Sequence, residues 1–432
     1  MRYFRQLRWT PNFRRMASRV TGASALAQGA PDPEREVVSH PTGWVARAVF
    51  APQVWLISVG LTALLTGPAL GQGAIDTVIS SRLDSALASL VEENGLVGLQ
   101  VAIGIDGTLS WTGAYGMADL EHNSPVTDQT LFRMASITKW MTATAAMRLV
   151  ELGQLDLDAA VQEYCPEYPE KQWTLTARHL LEHRGGVRQY WGFNDEPRDT
   201  PEEQRMLDLQ SDEERRWMSV RYTDVVGPLN RFKDDPLLFE PGTDRRYTSL
   251  GYRLLGCVLR GAADTSYAAV LQEHIFDPAE MSSTRNDDAY AIIPGRARGY
   301  TSTPEGELRR SRFRDVSENL AAGGHLSTAS DLIRFALAWR AGQLVSEASM
   351  EAMTVPPAGT AASERYPGLG FFVQPLPGGG RVYMVGRQDG TRTFLVMNLE
   401  TGRAFAWMTN YERVPSNFNL LMVRAIAGQL AQ

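Results

Sequence analysis

Strand-like alternation occurs near both ends of this chain, and the long interval between reads as helical. Val97, Leu99, Val101 and Ile103 alternate and run into Asp106-Gly107, the pattern of a strand entering a hairpin. Near the far end, 370–373, 381–385 and 393–398 have the same character. Thr401-Gly402 then turns into a further strand over 403–410. From about 131 to 350 the pattern is mainly of helices joined by long loops. The simplest closure is an α+β fold: one antiparallel sheet built from both chain ends, flanked by helices, with a helical subdomain inserted. Two terminal helices would cover the sheet. One spans 75–93, with apolar residues at Ile75, Ile79, Leu83, Leu87, Leu90 and Val91. The other spans 416–430 and opens on Ser416.

Ahead of that domain lies a segment of different character. It is rich in arginine, has no acid before Asp32, and carries no charge between Arg47 and Asp76. The apolar stretch Val54 to Leu65 is long for a signal core and short for a full span, and Ala69-Leu70-Gly71 resembles a small-residue cleavage site. Residues 1–73 therefore read as a basic lead plus an export signal. The alternatives are an uncleaved single anchor, or an arginine-rich organelle presequence followed by one. Each reading puts 74–432 outside the cytosol, periplasmic or secreted, with or without a membrane tether.

Charge and cysteine content narrow the partners. The net charge is −6, so the chain lacks the basic footprint of a nucleic-acid binder. Only Cys165 and Cys257 occur, and no CxxC pair is present for zinc or redox work. Cys257, in the apolar run 254–259, reads as a small buried hydrophobe; whether the two cysteines pair is open. Only three of the 43 basic side chains are lysines: Lys139, Lys171 and Lys233. Each is worth a look, because arginine serves wherever only a solvated charge is needed.

No GxSxG elbow, GxxxxGK loop or GxGxxG turn appears. Ser136-Ile137-Thr138-Lys139 does, at the head of an apolar helix that runs to about Leu152 and stops at Gly153. Positions i and i+3 share a helix face, so the Lys139 amine can reach the Ser136 hydroxyl. A buried lysine loses affinity for its proton, and a neutral amine beside a serine is a general base beside a nucleophile. A capping serine with a surface lysine has the same spacing, so the motif is weak alone. Downstream, Tyr247-Thr248-Ser249 follows a turn and opens another apolar helix. A buried Tyr247 near a cation would ionise more easily and handle a second proton, with Ser249 adding a hydroxyl. A core tyrosine and a helix cap are the plain alternative.

In that order, Ser136–Lys139, Tyr247–Ser249 and a glycine-bearing strand at Gly386 resemble the serine β-lactamase and penicillin-binding-protein superfamily. The resemblance is to its class C-like serine hydrolases, and among these to LACTB-type peptidase-like proteins. The segments 178–190, 232–237, 322–329 and 390–393 support it, over about 75–430. It implies a β-lactamase/DD-peptidase-like fold with no metal or organic cofactor. Ser136 would form an acyl-enzyme, Lys139 would take its proton, and Tyr247 would relay protons. Ser249 would line the site. The oxyanion donors would be the backbone N–H groups of Ser136 and Arg387, beside Gly386. The family's third motif, usually Lys-Thr-Gly or His-x-Gly, is here Met384-Val385-Gly386. That change favours a peptidase or esterase over a β-lactamase, with Arg387 or Arg392 available to compensate.

Two rival readings remain. His179-Leu180-Leu181-Glu182-His183 matches HxxEH, so a zinc peptidase would use His179, Glu182 and His183. A family member that has lost its chemistry would act as a binding scaffold. His325, beside Gly323-Gly324, reads as a loop histidine. The acid-rich run 195–216 reads as a solvated segment able to cover the cleft. The expectation is an exported serine hydrolase cleaving an amide or ester in a small-molecule or peptide substrate.

Overall fold

Asp106 and Gly107 both take left-handed backbone, with φ of 50° and 76°. A two-residue hairpin between right-twisted strands requires this. They join β1 (Gly98–Ile105) to β2 (Thr108–Asp119). The structure, a computed structural model, describes residues 75–190, 212–213, 216–357, 359–376 and 379–430. The export segment with its cleavage site, and nearly all of the run 195–216, lie outside the described residues.

The sheet is completed by β3 (Ser124–Pro125), β4 (Tyr366–Pro367), β5 (Phe372–Gln374), β6 (Arg381–Gln388), β7 (Thr391–Asn398) and β8 (Ala404–Thr409). Its order is β3-β2-β1-β8-β7-β6-β5-β4, antiparallel throughout. Leu99 faces Thr409 and Gly104 faces Ala404, so β1 and β8 zip the two ends of the chain together. The expected α+β sheet is therefore present. β6 runs three residues beyond 385, which brings Gly386 and Arg387 into the strand.

Helices cover both faces. α1 (Thr77–Glu93) and α6 (Phe418–Leu430) pack on one side, over Leu99, Val101, Phe394, Phe405 and Trp407. α6 starts two residues later than Ser416. α1 starts after Asp76, whose carboxylate accepts the Val78 and Ile79 N–H groups. On the other side lie α2 (Thr138–Glu151), α3 (Ala177–Leu181), α4 (Ser249–Ala262) and α5 (Ala329–Arg340). Double coverage buries every residue of β1, not the alternate ones. The intervening positions are small or internally satisfied. A Cβ on Gly104 would stand 2.8 Å from Ile333 of α5. Gln100 donates to the Thr127 and Thr130 carbonyls and accepts the Ala329 N–H.

Cys257 is not a free thiol, because it is bonded to Cys165. The cause is local: Gly261, one helical turn on, lets the Tyr164 carbonyl approach α4 so closely that a Cβ there would lie 1.7 Å from the oxygen. Among the described residues no single helix is long and apolar enough to cross a membrane.

Candidate active site

The turn that carries Ser136 is held in an uncomfortable shape. Ala135 has a φ of 46°, left-handed for a residue with a Cβ, which costs about 1–2 kcal/mol. Neighbours hold it there. The Met134 N–H donates to the His325 carbonyl at 3.0 Å, and the Thr393 hydroxyl of β7 donates to the Met134 carbonyl at 3.0 Å. The tight turn Ala135–Ile137 leads directly into α2, so Ser136 is presented half-exposed at the helix entrance. α2 ends at Glu151 and Gly153 is left-handed, as the sequence predicts.

Lys139 is fully buried, and its Nζ donates to Ser136 Oγ at 3.1 Å and to the Ala322 carbonyl at 2.9 Å. Burial pushes its pKa down to about 7; Tyr190 opposes the shift, and the Arg253 and Arg314 guanidiniums reinforce it. Those arginines belong to a buried cluster that sequence reasoning missed. Glu318, 1% exposed, takes ion pairs from Arg253 at 2.8 Å, Arg314 at 2.9 Å and Arg231 at 3.1 Å. Burial alone would raise its carboxyl, but the three guanidiniums hold it below the ordinary range. Nothing in the linear spacing of 231, 253, 314 and 318 flags this cluster. The Ala322 carbonyl had a signal, since it begins one of the segments that carry the resemblance.

Tyr247 donates its hydroxyl to Ser136 Oγ at 3.0 Å. Here the expectation of easy ionisation is wrong. Burial drives the phenol up to about 12, and hydrogen bonds to Ser136 and Ser249 only temper that. Tyr247 is thus a neutral donor at working pH, with the Lys139 Nζ 5.1 Å from its ring centre. Ser249 is buried as the first residue of α4. Its N–H donates to Gln189 Oε1 at 3.0 Å and its hydroxyl serves Tyr247. The cap of α4 is Thr248, which accepts the Leu250 and Gly251 N–H groups.

The zinc arrangement does not form. α3 ends at Leu181, and His183 turns off it with a φ of 57°. Its Nδ1 accepts the Thr248 N–H at 3.2 Å, and its ring packs between Tyr247 and Tyr252, 4.5 and 5.0 Å from their centres. Burial, with Lys139 and Arg245 nearby, keeps it neutral. Among the described residues, His179, Glu182 and His183 do not bring three ligand atoms together. His183 instead backs Tyr247.

Gly386 lies against the nucleophile turn, where a Cβ would be 2.7 Å from the Met134 carbonyl and 3.1 Å from Ala135 Cβ. β5 pairs only with 381–383, so among the described residues β6 has no strand partner on that side from Met384 onward. Alternate N–H groups of this stretch point away from β7. The Arg387 side chain is exposed. Met384 is buried, 3% exposed, in the core that contains α2, so it brings no polar group to the site. The arrangement is a serine flanked by an amine base and a phenol donor, beside an open strand edge. It suits acyl transfer.

A family model described as Beta-lactamase matches residues 83–429. The mouse "Serine beta-lactamase-like protein LACTB, mitochondrial" is 28% identical over 334 residues, covering 65% of this chain and 60% of that protein. "Esterase EstB" of Burkholderia gladioli is 29% identical, covering 68% of this chain and 78% of its own length. The chain thus spans well under two thirds of the mitochondrial relative. Among solved structures, a penicillin-binding protein from Bacillus halodurans superimposes with a TM-score of 0.65 at 21% identity, covering 79% of this chain and 99% of that one. That likeness is one of fold.

Proposed function

The chain belongs to the beta-lactamase family, a family of serine hydrolases, and from that premise we propose that it cleaves an amide or ester through an acyl-enzyme on Ser136. The observation that carries the reading is the placement of Ser136 Oγ, 3.1 Å from Lys139 Nζ and 3.0 Å from the Tyr247 hydroxyl. The neutral Lys139 amine takes the hydroxyl proton as Oγ bonds to the substrate carbonyl carbon. The resulting oxyanion lies between the N–H groups of Ser136 and Arg387. As the intermediate collapses, the C–N or C–O bond breaks and Tyr247 donates its proton to the leaving group. Lys139 then reprotonates the phenol. Water attacks the acyl-enzyme while Lys139 takes its proton, and Ser136 is released with its own proton restored.

Esterase or peptidase action is favoured over β-lactam hydrolysis because Met384 offers no polar group at the third motif. Export is part of the same proposal. The Cys165–Cys257 disulfide supports it, since such bonds persist in oxidising compartments. The test is a fluorophosphonate probe read by intact mass and peptide mapping. A single adduct on the Ser136 peptide, absent in Ser136→Ala, is expected. An adduct elsewhere, or none on folded protein, overturns the assignment.

A further inference from the structure

A cavity of about 720 Å³ opens beside the active site without containing Ser136, Lys139 or Tyr247. Its wall includes Arg133, three residues before Ser136, and the Asp389–Gly390 turn that ends β6. Six arginines line it (Arg133, Arg296, Arg298, Arg310, Arg312 and Arg314), against two aspartates, Asp119 and Asp389. Among the described residues, the carboxylates around the wall are shared and leave the arginines in excess. Asp287 is shared by Arg133 and Arg296, and Glu318 by Arg314, Arg231 and Arg253.

The arginines differ in how firmly they are held. Arg133 and Arg298 make short pairs, 2.7 Å to Asp287 and 2.9 Å to Asp119. Arg312 and Arg310 make long ones, 3.3 Å to Asp389 and 3.5 Å to Glu121. A charge-assisted bond is normally about 2.7–2.9 Å, so these two forks are available to a better acceptor. Arg314 is buried, and among the described residues its Nε has no hydrogen-bond partner. Phe313, between Arg312 and Arg314, also lines the cavity and is 64% exposed.

We propose that this cavity binds a dianionic oxyanion of the phosphate class, carried on an organic body that lies against Phe313. A lone carboxylate presents two oxygens and one charge, which leaves most of these donors unmatched. A phosphate presents three oxygens and up to two charges, and each oxygen pair fits a guanidinium fork. The cavity is far larger than the anion, and its exposed aromatic is on the same wall.

The experiment is titration calorimetry of the full chain with inorganic phosphate, phenyl phosphate and benzoate, at low and high salt. Phenyl phosphate should bind at one site per chain, at least tenfold more tightly than benzoate, with affinity falling as salt rises. Arg310→Ala and Arg312→Ala should each weaken phosphate and phenyl phosphate at least fivefold, while probe labelling of Ser136 stays unchanged. Phe313→Ala should weaken phenyl phosphate alone, which identifies an ester as the ligand. If phenyl phosphate and inorganic phosphate bind equally and Phe313→Ala moves neither, the organic body is overturned and the anion site stands. No saturable binding, benzoate binding as tightly as phenyl phosphate, or binding insensitive to both arginine variants overturns the site.

Discussion

Gly386 and Thr393 face each other across the β6–β7 ladder, and the Thr393 hydroxyl occupies the space a side chain at 386 would need. A Cβ there would be 2.0 Å from Thr393 Oγ1. That hydroxyl holds the Met134 carbonyl, two residues before Ser136. Gly386→Ala must therefore displace the pin or the strand. We expect a loss of about 1–3 kcal/mol in stability, and acylation of Ser136 slowed on the order of 10²-fold by misplacement. Thermal melts and probe-labelling rates measure the two effects separately.

In the proposed mechanism acylation needs the free amine of Lys139, whose pKa is held at about 7. The acidic limb of kcat/KM should therefore bend near pH 7 and fall tenfold per pH unit below it, as the amine becomes ammonium. Lys139→Arg keeps a positive charge at every working pH. Its labelling rate should be lower by about 10²- to 10⁴-fold, with no gain as pH rises from 6 to 9.

Among the described residues, Glu318 is shared by three buried guanidiniums, those of Arg231, Arg253 and Arg314. Glu318→Gln removes the carboxylate that these guanidiniums share, which should destabilise by about 3–5 kcal/mol. For a domain of this size that lowers Tm on the order of 10 °C. Calorimetry checks it, and a Tm within 2 °C of the parent would contradict the role of the cluster.

The two histidines of the HxxEH segment should behave differently. His179→Asn leaves the Tyr247 surroundings intact and should label at the parent rate. His183→Leu removes the acceptor of the Thr248 N–H and the ring behind Tyr247. It should lower both Tm and the labelling rate, about tenfold or more for the rate. EDTA should change neither protein. Equal loss in both variants together with chelator sensitivity would restore the metal reading.

Local patterns made the sheet and the Ser136–Lys139 contact legible. The Asp106-Gly107 turn and the i, i+3 spacing of Ser136 and Lys139 depend on neighbours in the chain. Burial-dependent properties were not legible. Tyr247 looked ready to ionise, yet its hydroxyl is too desolvated to lose a proton easily. Cys257 looked like filler because nothing near it in sequence announces that the 165 loop lies against its helix. HxxEH reads as a ligand pair only if the helix continues, and the left-handed turn at His183 ends that geometry. The Glu318 cluster gathers residues from three separate stretches, so only the folded chain displays it.

The pairing of α1 with α6 has a practical consequence. Thr77 and Gln429 border the same shallow groove, so the beginning and end of the described chain are neighbours in a layer separated from Ser136 by the sheet. A circular permutant is therefore feasible: a short linker would seal those ends, and new ones could open at the exposed Asp106-Gly107 turn. Such a protein should retain the labelling rate of the parent, because the catalytic layer would keep every covalent connection it has now.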